Sequence, residues 1–63
     1  MTVERLVKSE IVNDDTELIF RGEEHEILTK ANRFSDSVRF YYDKEISGFL
    51  WADSNKILAD LIM

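Results

Sequence analysis

The alternation of apolar and polar residues predicts short strands along most of this 63-residue chain. Residues 16 to 20, Thr-Glu-Leu-Ile-Phe, predict a strand that ends at Arg21-Gly22. Asn13-Asp14-Asp15 before it predicts a turn, because Asn and Asp side chains bond their own backbone and tolerate left-handed geometry. We therefore expect a turn followed by a strand in this part of the chain.

Two segments fit both a strand and a helix. Residues 3 to 12 contain apolar side chains at helical spacing, but their β-branched content ahead of a turn favours a strand, and we predict a strand over residues 5 to 12. Residues 25 to 31 are ambiguous for the same reason. We predict a third strand there, with a helical turn as the alternative.

The central part of the chain predicts a hairpin. Ser35-Asp36-Ser37 supplies a turn, and residues 38 to 42 then place Val38, Phe40 and Tyr42 on one face and Arg39 and Tyr41 on the other. A second turn at residues 43 to 45 leads into a partner strand over residues 46 to 52. Its two faces carry Ile46, Leu50 and Ala52 on one side and Ser47, Phe49 and Trp51 on the other.

The last segment predicts a helix. Asp53 or Ser54 is a suitable N-cap, and a one-sided apolar stripe follows, made of Ile57, Leu58, Leu61 and Ile62. The complete pattern predicts one α+β domain over residues 1 to 63. We expect an antiparallel sheet of four to five short strands, with a barrel-like closure as one form, and a single C-terminal helix packed on a face.

Five of the seven aromatic residues lie between positions 39 and 51, and a single helix covers only one face of a sheet. One interpretation is that the second face is also core, closed by sheet curvature or by the N-terminal segment. The other is a docking surface, because Tyr, Trp and Arg dominate binding hot spots. The candidate partner-binding residues are Arg39, Tyr41, Phe49 and Trp51.

The composition of the chain indicates how its small core is stabilised and where the protein is located. The chain has no cysteine, so neither a disulfide nor a thiolate metal site supports this small core, and a homodimer is one way to compensate. No apolar run has the length of a secretory signal or of a membrane span. We expect a cytoplasmic protein without a membrane partner, and a bacterial or phage origin suits so short a chain.

The net charge of −5 is concentrated in one segment. Residues 10 to 26 carry seven carboxylates against Arg21 alone: Glu10, Asp14, Asp15, Glu17, Glu23, Glu24 and Glu26. Three of them surround His25, the only histidine, but adjacent side chains diverge and no second histidine or cysteine completes a metal set. The sequence contains neither a glycine-rich phosphate-binding loop nor a nucleophilic residue flanked by glycines in a nucleophile-elbow motif. We therefore expect no metal, no cofactor and no enzymatic activity.

These observations favour a small acidic interaction protein, such as a regulator, inhibitor or assembly factor, that docks on a larger protein through the aromatic face or the acidic segment. One alternative is a nucleic-acid mimic, in which the seven carboxylates imitate a phosphate backbone. Another is a single-stranded nucleic-acid-binding β domain with stacking aromatics and with Lys30, Arg33, Arg39 and Lys44 on phosphates. The acidic net charge argues against nucleic acid as a partner, and a homodimeric scaffold is compatible with the first hypothesis.

Overall fold

A computed structural model describes all 63 residues and contains one four-stranded sheet with two short helices. In chain order the elements are α1 (Val3–Val7), β1 (Glu17–Arg21), β2 (Ile27–Ala31), α2 (Asp36–Arg39), β3 (Glu45–Asp53) and β4 (Lys56–Ile62). The strand order is β2-β1-β4-β3. Strand β1 pairs parallel with β4, and the other two pairings are antiparallel. The predicted α+β class is confirmed, but the sheet is mixed and open, so the purely antiparallel and barrel-like predictions are wrong.

Three of the predicted strands are present. They correspond to β1, β2 and β3, and the predicted turn at Asp14 and Asp15 precedes β1. In β1, Leu18 and Phe20 are buried while the residues between them are half-buried. This alternation is the period-2 pattern that a strand with one face on the core produces.

The predicted strand over residues 5 to 12 is wrong, because the chain forms α1 instead. Thr2 caps this helix by accepting a hydrogen bond from the Arg5 backbone N–H at 3.3 Å. Val3, Leu6 and Val7 are buried at the i, i+3, i+4 spacing of one helical face. The helical spacing therefore outweighed the β-branched content of the segment.

The predicted strand over residues 38 to 42 is also wrong. The serine-rich turn signal is the start of α2: Ser35 is the N-cap, and its Oγ accepts from the Ser37 N–H at 3.2 Å. Val38 is fully buried, and Tyr41 and Tyr42 pack on the core three and four positions later. Phe40 is exposed, so the inward residues follow helical and not strand spacing.

The predicted C-terminal helix is the third error, because residues 56 to 62 form β4. Asp53 pairs with Lys56, so Ser54 and Asn55 are a two-residue hairpin loop, and the Asp53 Oδ1 accepts from the Ser54 N–H at 2.7 Å. A strand between β1 and β3 satisfies its backbone on both sides, whereas a seven-residue helix is marginal on its own. The apolar stripe divides accordingly between the two faces of the strand.

The core lies on one face of the sheet, here called the inner face. Strands β1 and β4 contribute their buried residues to it, and both helices pack against them. The members of this core are Val3, Leu6, Val7, Val12, Leu18, Phe20, Val38, Ile46, Ile57, Ala59 and Leu61. No helix lies on the other side of the sheet, here called the outer face. The helices, of five and four residues, are both too short to cross a membrane.

Two isoleucines of β4 allow a matched test of this architecture. Ile57 is fully buried on the inner face, whereas Ile62 is 54% exposed. We expect Ile57→Val to lower the free energy of unfolding by about 0.5 to 1.5 kcal/mol and Ile62→Val to change it by less than about 0.5 kcal/mol. Urea denaturation of both variants measures the difference. Equal losses at the two positions would favour the amphipathic helix over the strand.

Candidate functional site

Strand β3 forms one edge of the sheet and is exposed over most of its length. Of its nine residues only Ile46 is buried. Three consecutive large apolar side chains follow near its centre: Phe49 is 40% exposed, Leu50 is 55% exposed and Trp51 is 49% exposed. Phe49 and Trp51 point to the inner face, because their partners across the ladder are the buried residues Ala59 and Ile57. Leu50 points to the outer face beside Leu58, so both faces of this edge present apolar surface.

The outer edge of β3 is open from Ser47 to Asp53. At its beginning, Thr2 bridges to Glu45, and the Ile46 N–H donates to the Met1 carbonyl at 2.8 Å. Beyond this point only β4 pairs with the strand, on its other side. The open stretch of seven residues extends for about 23 Å at roughly 3.3 Å per residue. Its unpaired backbone groups form a template for another extended chain.

The opposite edge of the sheet is protected. Strand β2 has only five residues, against nine in β3, and Lys30 lies on it. Register shifts interrupt the pairing of both edge strands, between Phe20 and Arg21 for β2 and at Ile46/Gly48 and Trp51/Asp53 for β3. Short length and lysine are among the features that keep an edge strand from pairing with another chain, and only β2 has them. The stretch from Ile46 to Ala52 contains no charged residue and no proline. The two edges therefore differ in their capacity to accept a further strand.

The four predicted partner-binding residues do not form one surface. Phe49 and Trp51 lie together on β3, as expected from their spacing. Tyr41 is half-buried, and its ring packs edge-on against the buried Phe20, with centroids 6.0 Å apart. Arg39 is exposed at the end of α2, in a different surface region lined by Lys8 and Arg33. Leu50, which the prediction placed on the opposite side of the strand and did not include among the partner-binding residues, also belongs to the exposed edge.

The outer face carries a small apolar strip. Ile19 and Leu58 are neighbours in the parallel ladder, Leu50 continues the row on β3, and the first two are half-buried. Two residues along the ladder, on the same face, Arg21 lies beside Asp60 and makes a bidentate ion pair with it. The Arg21 Nε donates to Asp60 Oδ1 at 2.7 Å, and a terminal guanidinium nitrogen donates to Oδ2 at 3.0 Å. This pair links the two central strands on the face without helices.

The Arg21 guanidinium shifts the titration of its partner. Its hydrogen bonds to the carboxylate, more than its charge, hold the pKa of Asp60 below the ordinary value, and partial burial opposes this effect. The same hydrogen bonds raise the pKa of Arg21. Asp60 is therefore ionised in the folded protein at neutral pH and remains so into the acid range.

A depression of about 250 Å³ adjoins this ion pair and collects several polar side chains. His25, Ser47 and Asp60 all line it. The Ser47 hydroxyl donates to the Asp60 backbone carbonyl at 3.2 Å, and both Asp60 carboxylate oxygens accept from Arg21. His25 has positive φ, of 64°, in the β1–β2 loop. A catalytic triad here would need one hydrogen bond from the Ser47 hydroxyl to His25 and another from His25 to the Asp60 carboxylate. Neither of these hydrogen bonds is formed.

The acidic residues are divided between the two ends of β1. Glu10, Asp14, Asp15 and Glu17 precede the strand or begin it, whereas Glu23, Glu24 and Glu26 lie in the loop after it. The intervening strand spans about 17 Å at roughly 3.3 Å per residue. Asp14 pairs with Arg33, and the Glu26 carboxylate accepts from the Glu24 N–H at 3.1 Å. No group of three or more His, Cys, Asp or Glu side chains is placed to hold a metal ion.

Comparison with known proteins identifies no relative of this chain. The chain matches no protein-family model, no curated protein and no solved structure. The assignment of a site therefore depends on the exposed edge of β3, on the ion pair of the outer face and on the distribution of charge.

The Arg21–Asp60 pair predicts a defined dependence of stability on pH. Because the folded-state pKa of Asp60 is lowered, its stabilising contribution is fully present above the unfolded-state pKa of about 4. This contribution is lost as pH falls through the folded-state pKa. We expect Asp60→Asn to be less stable than the wild type at pH 7, and its urea midpoint to fall less than that of the wild type on acidification below about pH 4. Asp43→Asn is the control, because Asp43 makes no side-chain ion pair. The same acid dependence in wild type and Asp60→Asn would contradict the assignment.

Proposed function

We propose that this chain is a small non-enzymatic interaction protein, a regulator, inhibitor or assembly factor, that docks on another protein through the open edge of β3. In this mode an extended segment of the partner adds to the sheet beside residues 47 to 53. Backbone hydrogen bonds supply affinity, and alternate side chains supply specificity. The observation that carries the proposal is the run of three exposed apolar side chains on an edge strand without protecting charges.

The geometry of the edge defines the chemistry of the partner segment. Phe49 and Trp51 face one side and Leu50 the other, so the added strand needs apolar side chains on both faces at its centre. Asp53 ends the open stretch of β3, which favours a basic residue at that end of the added strand, whereas Glu45 at the other end of β3 is ion-paired with the N-terminal ammonium. Two copies of this chain each carry a net charge of −5, so self-pairing brings like charges together. A segment of another protein is therefore the better occupant.

Strand addition also explains the surface better than the two nucleic-acid alternatives. A phosphate mimic needs its carboxylates along one edge, but here they lie at both ends of β1. A stacking platform needs cations beside its aromatic rings, yet Lys30 lies on the opposite edge strand. Arg33 lies in the loop before α2, Arg39 ends α2, and Lys44 precedes β3 at the end far from Trp51. The aromatic residues of β3 have no adjacent row of cations to meet phosphates.

The test uses one charge-introducing substitution on each edge of the sheet. A partner captured with the wild-type protein is purified, and its affinity is measured by calorimetry against Leu50→Lys and Ile27→Lys. We expect Leu50→Lys to weaken binding by at least about 2 kcal/mol, roughly thirtyfold, because a lysine replaces an apolar contact at the centre of the interface.

Ile27 is the matched control, because it lies on the other edge strand and is 54% exposed, against 55% for Leu50. Ile27→Lys should leave the affinity unchanged. Equal losses for the two variants, or no loss for Leu50→Lys, would exclude the edge of β3 as the docking site. Light scattering on the protein alone detects self-association, and a dimer abolished by Leu50→Lys would assign the edge to a second copy.

A further inference from the structure

A second surface region, formed by residues outside β3, is lined by cations although the protein as a whole is acidic. A hollow of about 150 Å³ is lined by residues from three separate parts of the chain. Three of its six lining residues are cations, two are aromatic, and none is acidic: Val7, Lys8, Arg33, Phe34, Arg39 and Tyr42. The whole chain has only eight lysines and arginines, so this concentration departs from its acidic average.

Carboxylates near the hollow position the cations without entering it. Lys8 Nζ contacts Glu4 Oε2 at 2.7 Å, and Arg39 contacts Asp36 at 3.6 Å. Arg33 pairs with Asp14 through one terminal nitrogen. These three acidic partners are all exposed and do not line the hollow. Because a guanidinium has five N–H donors, each arginine retains donors beyond those used in its ion pair.

Arg33 shows in addition that its hydrogen bonding is incomplete. Its Nε is the one buried side-chain nitrogen or oxygen atom in the chain without a hydrogen-bond partner. A buried donor without an acceptor is costly, and most such groups in folded proteins are satisfied. Because Nε is buried, an anion in the hollow would contact the terminal guanidinium nitrogens of Arg33, of which one pairs with Asp14.

The aromatic rings stand beside these charges. The Lys8 ammonium lies 5.9 Å from the centre of the Tyr42 ring, and the Arg33 guanidinium lies 5.0 Å from the centre of the Phe34 ring. Phe34 is 60% exposed. An aromatic ring next to an anion site provides a stacking surface for a planar group attached to that anion.

The volume of the hollow limits what it can enclose. Its volume of about 150 Å³ is below the ~300 Å³ at which pockets for drug-sized ligands begin. It accommodates a tetrahedral oxyanion but not a complete nucleotide. The organic part of a larger ligand would lie outside, against Phe34.

We propose that this hollow binds a phosphate-type oxyanion through Lys8, Arg33 and Arg39, with the planar group of a phosphate ester stacked on Phe34. Arginine matches the planar, bidentate geometry of phosphate oxygens, and lysine adds a point charge. The ligand is small, because three cations in a protein of net charge −5 do not provide a track for a polymer with many phosphates.

The test is an NMR titration of the isotopically labelled protein with inorganic phosphate, adenosine monophosphate and adenosine. We expect the amide signals of Lys8, Arg33, Phe34 and Arg39 to shift with both phosphate compounds, and the nucleotide to bind more tightly because its base meets Phe34. Equal affinities for the two would still support the oxyanion site and would identify the free anion as its ligand. Adenosine alone should produce no shift there.

Three variants separate this site from general charge attraction. Arg33→Gln and Arg39→Gln should each weaken nucleotide binding by about tenfold or more, whereas Lys30→Gln, which removes an exposed cation on β2, should have no effect. We expect Arg39→Gln to disturb folding less than Arg33→Gln, because the ion pair of Arg39 is long and exposed. The proposal is overturned if no signal at the hollow shifts, or if Lys30→Gln weakens binding as much as Arg39→Gln. Binding of an oligonucleotide without binding of the mononucleotide would also overturn it, in favour of a nucleic-acid surface.

Discussion

The parallel pairing of β1 with β4 is the contact on which the rest of this structure depends. It brings together the two strands that supply Leu18, Phe20, Ile57, Ala59 and Leu61 to the core. These strands are distant in sequence, so their pairing closes a long loop that contains β2, α2 and β3. Because β4 returns between β1 and β3, it separates β3 from β1 and leaves β3 at the edge of the sheet. The exposure of the proposed docking strand is thus a consequence of topology.

The short helices determine which parts of the sheet are covered. Of the nine helical residues only Val3, Leu6, Val7 and Val38 are buried in the core, and the two short helices leave residues 47 to 53 of β3 exposed. Phe49 and Trp51 point to the inner face, but they remain exposed because the helices do not reach them. A domain of this size buries only about 60% of the surface that its unfolded chain exposes. Exposed aromatic side chains on an unprotected edge are a liability for solubility unless a partner covers them, which gives the proposed docking its physical rationale.

The sequence predicted the elements whose signals are local and unambiguous. Strand β1 was recoverable from its alternation, and β3 from its aromatic and aliphatic run between turns. The errors arose where the spacing of apolar residues fits both a helix and a strand. In β4, Ile57 and Leu61 are four positions apart, which suits one side of a helix as well as one face of a strand. Only the partner strands on both sides decide between them, and these partners are not visible in a single segment. At α2 the serine cluster was correctly identified as a polar boundary but was assigned to a turn instead of a helix cap.

The candidate sites were predictable to a similar, partial extent. Alternation correctly placed Phe49 and Trp51 on one face of a single strand, but it also grouped them with Tyr41, whose ring packs on Phe20. That grouping assumed a hairpin that the chain does not form. The basic hollow was not predicted at all, because Lys8, Arg33 and Arg39 come from three segments that only the tertiary fold brings together. The weakly basic charge of residues 30 to 44 was the only sign of it in the sequence.

The most direct test of the central claim, an open edge along β3, is amide hydrogen exchange measured by NMR on dilute protein. In an antiparallel edge strand, alternate N–H groups point towards the neighbouring strand and towards solvent. We predict alternating slow and fast exchange over residues 48 to 51, which lie between two register shifts of the β3–β4 pairing, against continuous protection along the interior of β4, which is paired on both sides. Continuous protection over residues 48 to 51, unchanged on further dilution, would show that the edge is already covered within the chain and would contradict the account.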